Sequence, residues 1–484
     1  MSEKLVKFTD ELRYLPYKDW TKEYHDKLKK VVNSSPWRNS YHIEPETGLL
    51  NDPNGFSYFN HKWQLFYQFY PYGPVHGLKS WYHLESKDLV HWEPKGVALL
   101  PDLPYDSHGV YSGSATPIGD QLFIYYTGNT RDKDWIRTPY QMGAWMNKDY
   151  SFEKIKEPLI MPREEATDHF RDPQIFKYAS QYYMILGAQT KNDLEGVIYL
   201  YRAKSNQIND WELVGQLDFT NETQGYMIEC PNIVFIDNHP VLIYCPQGID
   251  KKVLRYDNIF PNAYIVGDVF DPNCHKIINA SSIQNLDEGF DVYATQAFNA
   301  PDGRALAISW LGLPDLTYPS DEYGHQGALS LVKELSLKNG KLYQYPVKET
   351  KDLRKSKVEF QNSYSFQTNQ YELKITVKAN TNEIFYLYAD KNKERYLKIV
   401  VDAKEGRVEI DRAKVGIPTA TKYGTKRYCY VDSQKDITLS IFVDTSIFEC
   451  YINYGEKVIT GRVFPYLDQN YLFANKGTIW PLTM

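Results

Sequence analysis

The feature that most constrains this chain is a hairpin that recurs five times at a spacing near sixty residues. Each copy reads as an apolar strand, a polar turn and a second apolar strand: DPNGFSYFNHKWQLFYQ, SGSATPIGDQLFIYYTG, DPQIFKYASQYYMILGA, CPNIVFIDNHPVLIYCP and TQAFNAPDGRALAISWLG. The second strands begin near Gln64, Leu122, Tyr182, Val241 and Arg304, with gaps of 58, 60, 59 and 63 residues. Turn chemistry supports four copies, through Asn60-His61, Gly119-Asp120, Asp237-Asn238 and Asp302-Gly303; Ala179-Ser180 is the weaker turn. A regular repeat of antiparallel hairpins predicts propeller blades around a shared channel, and five copies predict five blades.

From about residue 352 the text changes to short alternating strands such as YELKITVKA, YLKIVVD and DITLSIFVD, the pattern of a β-sandwich. Ahead of the repeat, Trp20, Tyr24, Leu28 and Val32 recur at every fourth position and predict a short amphipathic helix, ended before Pro36. The reading is therefore an all-β chain: an N-terminal helical extension over 1–36, a five-bladed β-propeller over 37–351 and a β-sandwich over 352–484, with no flexible linker between them. An aromatic content of 15% suits pleated sheets.

A formal net charge of −6 with no basic stripe argues against a nucleic-acid partner. The start, MSEKLVKFTDELRY, has no apolar core of a signal peptide, and no run approaches a membrane span. Five cysteines without metal-ligand spacing fit a reduced cytoplasm, and no cofactor or metal is expected. Oligomeric state is left open.

The repeat carries a chemical consequence. Equivalent inner positions of the blades face one channel, and the start of the first strand carries Asp52 in copy one, Ser112 in copy two, Asp172 in copy three and Glu229 in copy four. Copy five offers Tyr293 and Gln296. Three acids distant in sequence thus meet in space. Glu229 stands two residues before its proline, whereas both aspartates stand one before theirs, so copy four must absorb a shift. Asp-Pro elsewhere often only starts a turn, the reading for Asp271-Pro272; Glu449-Cys450 lies within sandwich strand text and reads as structural.

The motifs around these acids are His42-Ile-Glu-Pro-Glu-Thr-Gly-Leu-Leu-Asn-Asp-Pro-Asn-Gly55, Phe170-Arg-Asp-Pro173 and Glu229-Cys-Pro231, joined by Tyr111-Ser-Gly-Ser-Ala115, Asp291-Val-Tyr-Ala294 and Asp444-Thr-Ser-Ile-Phe-Glu449. Together they resemble glycoside hydrolase family thirty-two, from about residue 36 to the end. The resemblance implies a five-bladed propeller plus a sandwich, and retaining hydrolysis of β-fructofuranosides. It implies Asp52 as nucleophile at the anomeric C2, Glu229 as general acid and then base, and Asp172 as the holder of fructose hydroxyls. Asn51, Gln68, Trp81, Ser112, Arg171, Tyr293 and Trp310 are similar to sugar-binding positions of the family; the structural alternative for each is core packing or strand-end capping.

A retaining enzyme needs an ionised carboxylate and a protonated one about 5–5.5 Å apart. Glu229, close to an anionic Asp52, is then expected to have a raised pKa. Arg171, turned toward its neighbour, would keep Asp172 ionised, and Cys230 would donate a weak hydrogen bond near Glu229.

Leu49 and His76 stand where many invertases carry Trp, and Lys333-Glu334 replaces the family's usual Arg-Glu. The text Pro74-Val-His-Gly-Leu-Lys-Ser-Trp81 is similar to that of the bacterial members acting on sucrose-6-phosphate. A phosphate needs Lys, Arg or His donors, and the candidates are His76, Lys79, Arg131 and Arg137; a solvated surface is the alternative for each. The competing readings are an intracellular hydrolase of sucrose or short fructo-oligosaccharides, a sugar-binding propeller without catalysis, and a metal-dependent phosphatase.

Overall fold

In the computed structural model, residues 7–484 are described. Five four-stranded antiparallel units follow one another along the chain. Their inner strands are Gly48–Phe59, Val110–Ile118, Ala166–Tyr178, Met227–Ile236 and Val292–Asn299, one per repeat copy. The second strands begin at Lys62, Gln121, Gln181, His239 and Ala305, within two residues of the positions read from the repeat. The turns Asn60-His61, Ala179-Ser180 and Asp237-Asn238 all take positive φ at both residues, the twist-matched hairpin geometry. Ala179-Ser180 adopts it without the favourable side chains, so strand pairing rather than turn preference sets that hairpin.

Two devices close the ring. His325–Gln326, beyond the second strand of blade five, pairs in parallel with Gly48 and Leu49 of blade one. At the axis, one polar side chain per blade accepts a backbone N–H from the next blade. Asn54 accepts from Gly113, Ser114 from Ile175, Gln174 from Ile233, Asn232 from Ala297, and Gln296 from Phe56, at 2.7–3.2 Å. These amides and hydroxyl replace water for strand-end groups that the blade geometry leaves unpaired. The ring leaves a void of about 10 Å³, room for about one water, so the channel is plugged and any site above it is a one-ended pocket.

The C-terminal strands form a ten-stranded antiparallel sheet that folds over its own core. The long strand Tyr471–Pro481 pairs with Val358–Ser365, with Tyr371–Val377 and with Asn382–Ala389, linking both layers of the sandwich. Buried charges clamp it to the propeller. His42 bridges Asp444 Oδ2 at 3.0 Å and Glu449 Oε1 at 2.9 Å, and Glu449 Oε1 also accepts the Leu331 N–H. Asp291 takes Arg412 Nη1 at 2.7 Å, the Arg462 N–H and the Tyr318 hydroxyl. Glu449 thus has the structural role read for it.

The N-terminal helix spans Lys22–Asn33, capped by Thr21, and buries Leu28 and Val32. Trp20 falls outside it: its ring lies flat on Tyr72, 4.5 Å between centroids. The apolar spacing ran one turn past the helix start because Trp20, from the loop, packs on Tyr24 of the first helical turn. A second short helix, Asp10–Arg13, precedes it. No helix among the described residues is long and apolar enough to cross a membrane.

Candidate active site

Every inner strand breaks its ladder at the same height. The register skips two residues against one at Asn51-Asp52, Tyr111-Ser112, Asp172-Pro173, Cys230-Pro231 and Ala294-Thr295. Such bulges re-aim side chains, here toward the channel mouth. Asp172, Cys230 and Ala294 share a positive φ of 68°, 48° and 48°. Cys230, not Glu229, therefore occupies the place equivalent to Asp172. Glu229 is instead equivalent to Arg171 and Tyr293, the last paired residues before their bulges. The expected shift in copy four is real, and it creates two tiers. Asp52, Asp172 and Cys230 lie below, with Cys230 Sγ 3.7 Å and 3.6 Å from the two aspartates, while Arg171, Glu229 and Tyr293 lie above. The weak thiol bond expected near Glu229 thus goes to the aspartates.

All three acids line one cavity of about 410 Å³, together with Asn51, Gln68, Lys79, Arg171, Gln247, Tyr293 and Trp310. Asp52 accepts the Ser112 hydroxyl and Asn51 Nδ2 at 3.1 Å, with Gln68 Nε2 at 3.5 Å. Asn51 and Gln68 are tied to each other at 3.0 Å. Beneath them Lys79, 3% exposed, donates to Asn51 Oδ1 at 2.5 Å. Burial pulls its ammonium down to about 7, partly offset by Asp52. Asp172 accepts the Cys230 N–H at 3.0 Å.

The upper tier corrects two expectations. The Arg171 guanidinium turns to Glu229, with Nη2 and Nε at 2.7 Å and 3.0 Å from Oε1, rather than to its own neighbour Asp172. Adjacent residues on a strand point to opposite sides, and only the bulge brings Asp172 back to the channel. Glu229 Oε2 accepts the Tyr293 hydroxyl at 2.7 Å and Gln247 Nε2 at 2.6 Å. Burial pushes the Glu229 carboxyl up, but Arg171 and these hydrogen bonds prevail and hold it below the ordinary range. The raised carboxyls are Asp172, pushed by burial to about 7 despite Arg171, and Asp52, raised by burial and by Glu229 against the Ser112 hydrogen bond.

The other candidates divide. Trp310 lines the cavity with a buried indole N–H that has no partner among the described residues, a donor available to a sugar hydroxyl. Trp81 does not line it: the ring is fully buried on Phe66 and gives its N–H to the Tyr111 carbonyl, so it braces the Ser112 segment from behind. His76 sits exposed at the rim, 6.1 Å from the Trp310 ring. Arg131 and Arg137 also line the cavity; Arg131 lies over the Trp135 ring, and Arg137 Nε meets Asp168 Oδ2 at 3.1 Å. Lys79, grouped with these by its sequence neighbourhood, is committed to the floor.

Three groups escaped the sequence reading: Gln247 and Tyr14, which line the cavity, and His169, which contacts Arg171. Gln247 lies two residues beyond Cys245, the cross-strand partner of Glu229, and His169 lies two before Arg171; strand alternation puts each on the face of its functional neighbour. Tyr14 reaches the cavity from the N-terminal extension and packs edge-on against Trp135, with no sequence signal to mark it.

Residues 42–346 match the family model for the glycosyl hydrolases family 32 N-terminal domain, and residues 340–482 that for the family 32 C terminal. Sucrose-6-phosphate hydrolase of Streptococcus mutans is 54% identical over 467 residues, 96% of each chain, and that of Lactococcus lactis is 48% identical over 96% of each. Among solved structures, sucrose-6-phosphate hydrolase from Lactobacillus gasseri superposes with a TM-score of 0.96 at 43% identity, covering 99% of both chains. A Bombyx mori family 32 β-fructofuranosidase variant in complex with sucrose superposes at 0.83 with 27% identity, covering 95% of this chain and 97% of that one.

Proposed function

The chain belongs to glycosyl hydrolase family 32, and on that premise we propose that it hydrolyses the β-fructofuranosyl bond of sucrose-6-phosphate, releasing fructose and glucose-6-phosphate. The observation that carries this reading is a one-ended cavity lined both by the carboxylates Asp52, Asp172 and Glu229 and by Arg131 and Arg137. A plugged channel admits the terminal fructose to the base and leaves the glucose at the mouth, where a phosphate would meet the arginines. Relatives of 54% and 48% identity bear the same activity in their names.

The mechanism assigned to the residues is a double displacement. An Asp52 oxygen attacks C2 of fructose as the C2–O bond breaks, and Glu229 gives its proton to the departing glucosyl oxygen. Glu229, now ionised, takes a proton from water as that water attacks C2 and releases Asp52. Ser112, Asn51 and Gln68 fix the Asp52 rotamer so that one oxygen faces the sugar. Asp172 accepts from fructose hydroxyls, and Trp310 donates to one. A cytoplasmic setting belongs to this reading, supported by five free cysteines.

The test compares kcat/KM for sucrose-6-phosphate and sucrose. Preference for the phosphorylated sugar by about tenfold or more is expected, since one charge-assisted contact contributes about 1.5–3 kcal/mol. Equal values sink the phosphate assignment while leaving a fructosidase. Fructose release by Asp52→Asn at the native rate removes the catalytic assignment itself.

A further inference from the structure

Resting on the phosphorylated-sucrose reading, we propose that the phosphate of the leaving glucose switches Glu229 into its acid form, acting through Arg137, His169 and Arg171. Glu229 is paired with Arg171 at 2.7 Å, which favours the ionised carboxylate. An ionised Glu229 has no proton to give the glycosidic oxygen, so the first displacement needs the pair weakened and a proton taken up from water.

The geometry supplies the means. Arg171 Nη1 lies 2.9 Å from His169 Nδ1, and Arg137 Nη2 lies 3.4 Å from the same atom. A guanidinium only donates, so Nδ1 accepts from both and the imidazole is neutral, its proton on Nε2. Burial and the two arginines agree with this, holding His169 down to about 4. The neutral ring thus joins two cations without cancelling either. One end of the row rests on Asp168, whose side chain is 45% exposed, and the other on Glu229. A phosphate that pairs with Arg137 brings a charge of about −1.5 to −2 and offsets the cationic row that keeps Glu229 ionised.

The other groups facing Glu229 do not replace that row. Asp172 and Tyr293 face it from blades three and five, Asp52 from blade one, Tyr226 from the segment ahead of its own strand, and Cys245 from across the ladder. Cys230 adjoins it on its own strand. All are acids or neutral donors, and Lys79 serves Asp52. Arg171 is the cation in contact with Glu229 among the described residues, and Arg137 is the one behind it.

The test is the pH dependence of kcat at saturation, which reports the group in the enzyme–substrate complex. With sucrose-6-phosphate the alkaline limb is expected at higher pH than with sucrose, by about one unit or more, the scale of a phosphate charge acting across one side-chain layer. The phosphate's own titration near pH ~6 falls on the acid side and does not imitate this. Arg137→Gln removes one cation of the row: its limb with sucrose is expected to rise, and the gap between the two substrates to narrow. Coinciding limbs in the native enzyme overturn the proposal, as does an Arg137→Gln enzyme whose sucrose limb and gap are unmoved. The limbs are read independently of the kcat/KM ratio. A preference for sucrose-6-phosphate with coinciding limbs ends the switch and keeps the substrate, and separated limbs without a preference do the reverse.

Discussion

Replacing His42 by Gln tests how the two domains are held together. The His42 side chain and both of its carboxylate partners are fully buried, in the contact between the start of the propeller and the sandwich. Burial alone would lower the imidazole, but the hydrogen bonds and charges of Asp444 and Glu449 raise it from 6.5 to about 9. Its folded pKa lies above the unfolded one, so its contribution to stability is complete below about pH 6.5 and is lost as pH rises through about 9. The difference corresponds to roughly 3 kcal/mol. For a chain of this length unfolding as one unit, that is about 3 °C in Tm. Asp444 and Glu449 are lowered by the same contacts against their burial, so their contribution is lost only in acid. The measurement is Tm across pH 6 to 9.5 by calorimetry for the native chain and His42→Gln. The native Tm should fall over that window, and the variant should start lower by about 3 °C or more and fall less. Parallel curves for the two proteins refute the reasoning.

Two further outcomes follow from the site and the ring. Glu229→Gln keeps the Tyr293 and Arg171 neighbours but has no proton to transfer; kcat on sucrose-6-phosphate should fall about 10²–10⁴-fold, with a smaller loss on a fructoside whose leaving group departs unprotonated, measured by fructose release. Gln296→Leu leaves the Phe56 N–H and the Gly113 carbonyl without partners at the propeller axis, and should cost about 1–3 kcal/mol per orphaned group in chemical unfolding.

The five-blade architecture was legible because each hairpin carries its own turn and alternation, and because the spacing repeats. The meeting of Asp52, Asp172 and Glu229 in one cavity was legible for the same reason. The direction of individual side chains was not. A bulge reverses the face of every residue beyond it, and its position differs by one between Asn51-Asp52 and Asp172-Pro173 relative to the proline, which the text of the motifs does not reveal. That is why Arg171 met Glu229 instead of Asp172. The two readings of Trp81 could not be separated in the sequence, because a buried indole that supports a site and one that touches sugar share the same strand text. His169 and Gln247 were within reach of the alternation rule, applied outward from Arg171 and from the partner of Glu229.

Lys79 is the residue whose role the structure changes most, and Lys79→Met separates the two readings of it. As a phosphate ligand, its loss would raise KM for sucrose-6-phosphate and spare sucrose. As it stands, the ammonium is 3% exposed, holds Asn51 Oδ1, and through Asn51 supports a hydrogen bond to Asp52. Its removal takes a cation from beside Asp52, whose carboxyl burial already raises. The acid limb of kcat/KM, which reports the free enzyme, should then move upward for both substrates alike. Stability should change in the opposite sense to activity. A lysine held down to about 7 from 10.5 disfavours the folded state below the unfolded pKa, and most fully below about pH 7. An apolar side chain of similar length relieves that cost. Lys79→Met is therefore expected to be more resistant to heat at pH 6 to 7 while losing activity with both sugars. A loss confined to sucrose-6-phosphate, with an unmoved acid limb, would return the ammonium to the phosphate.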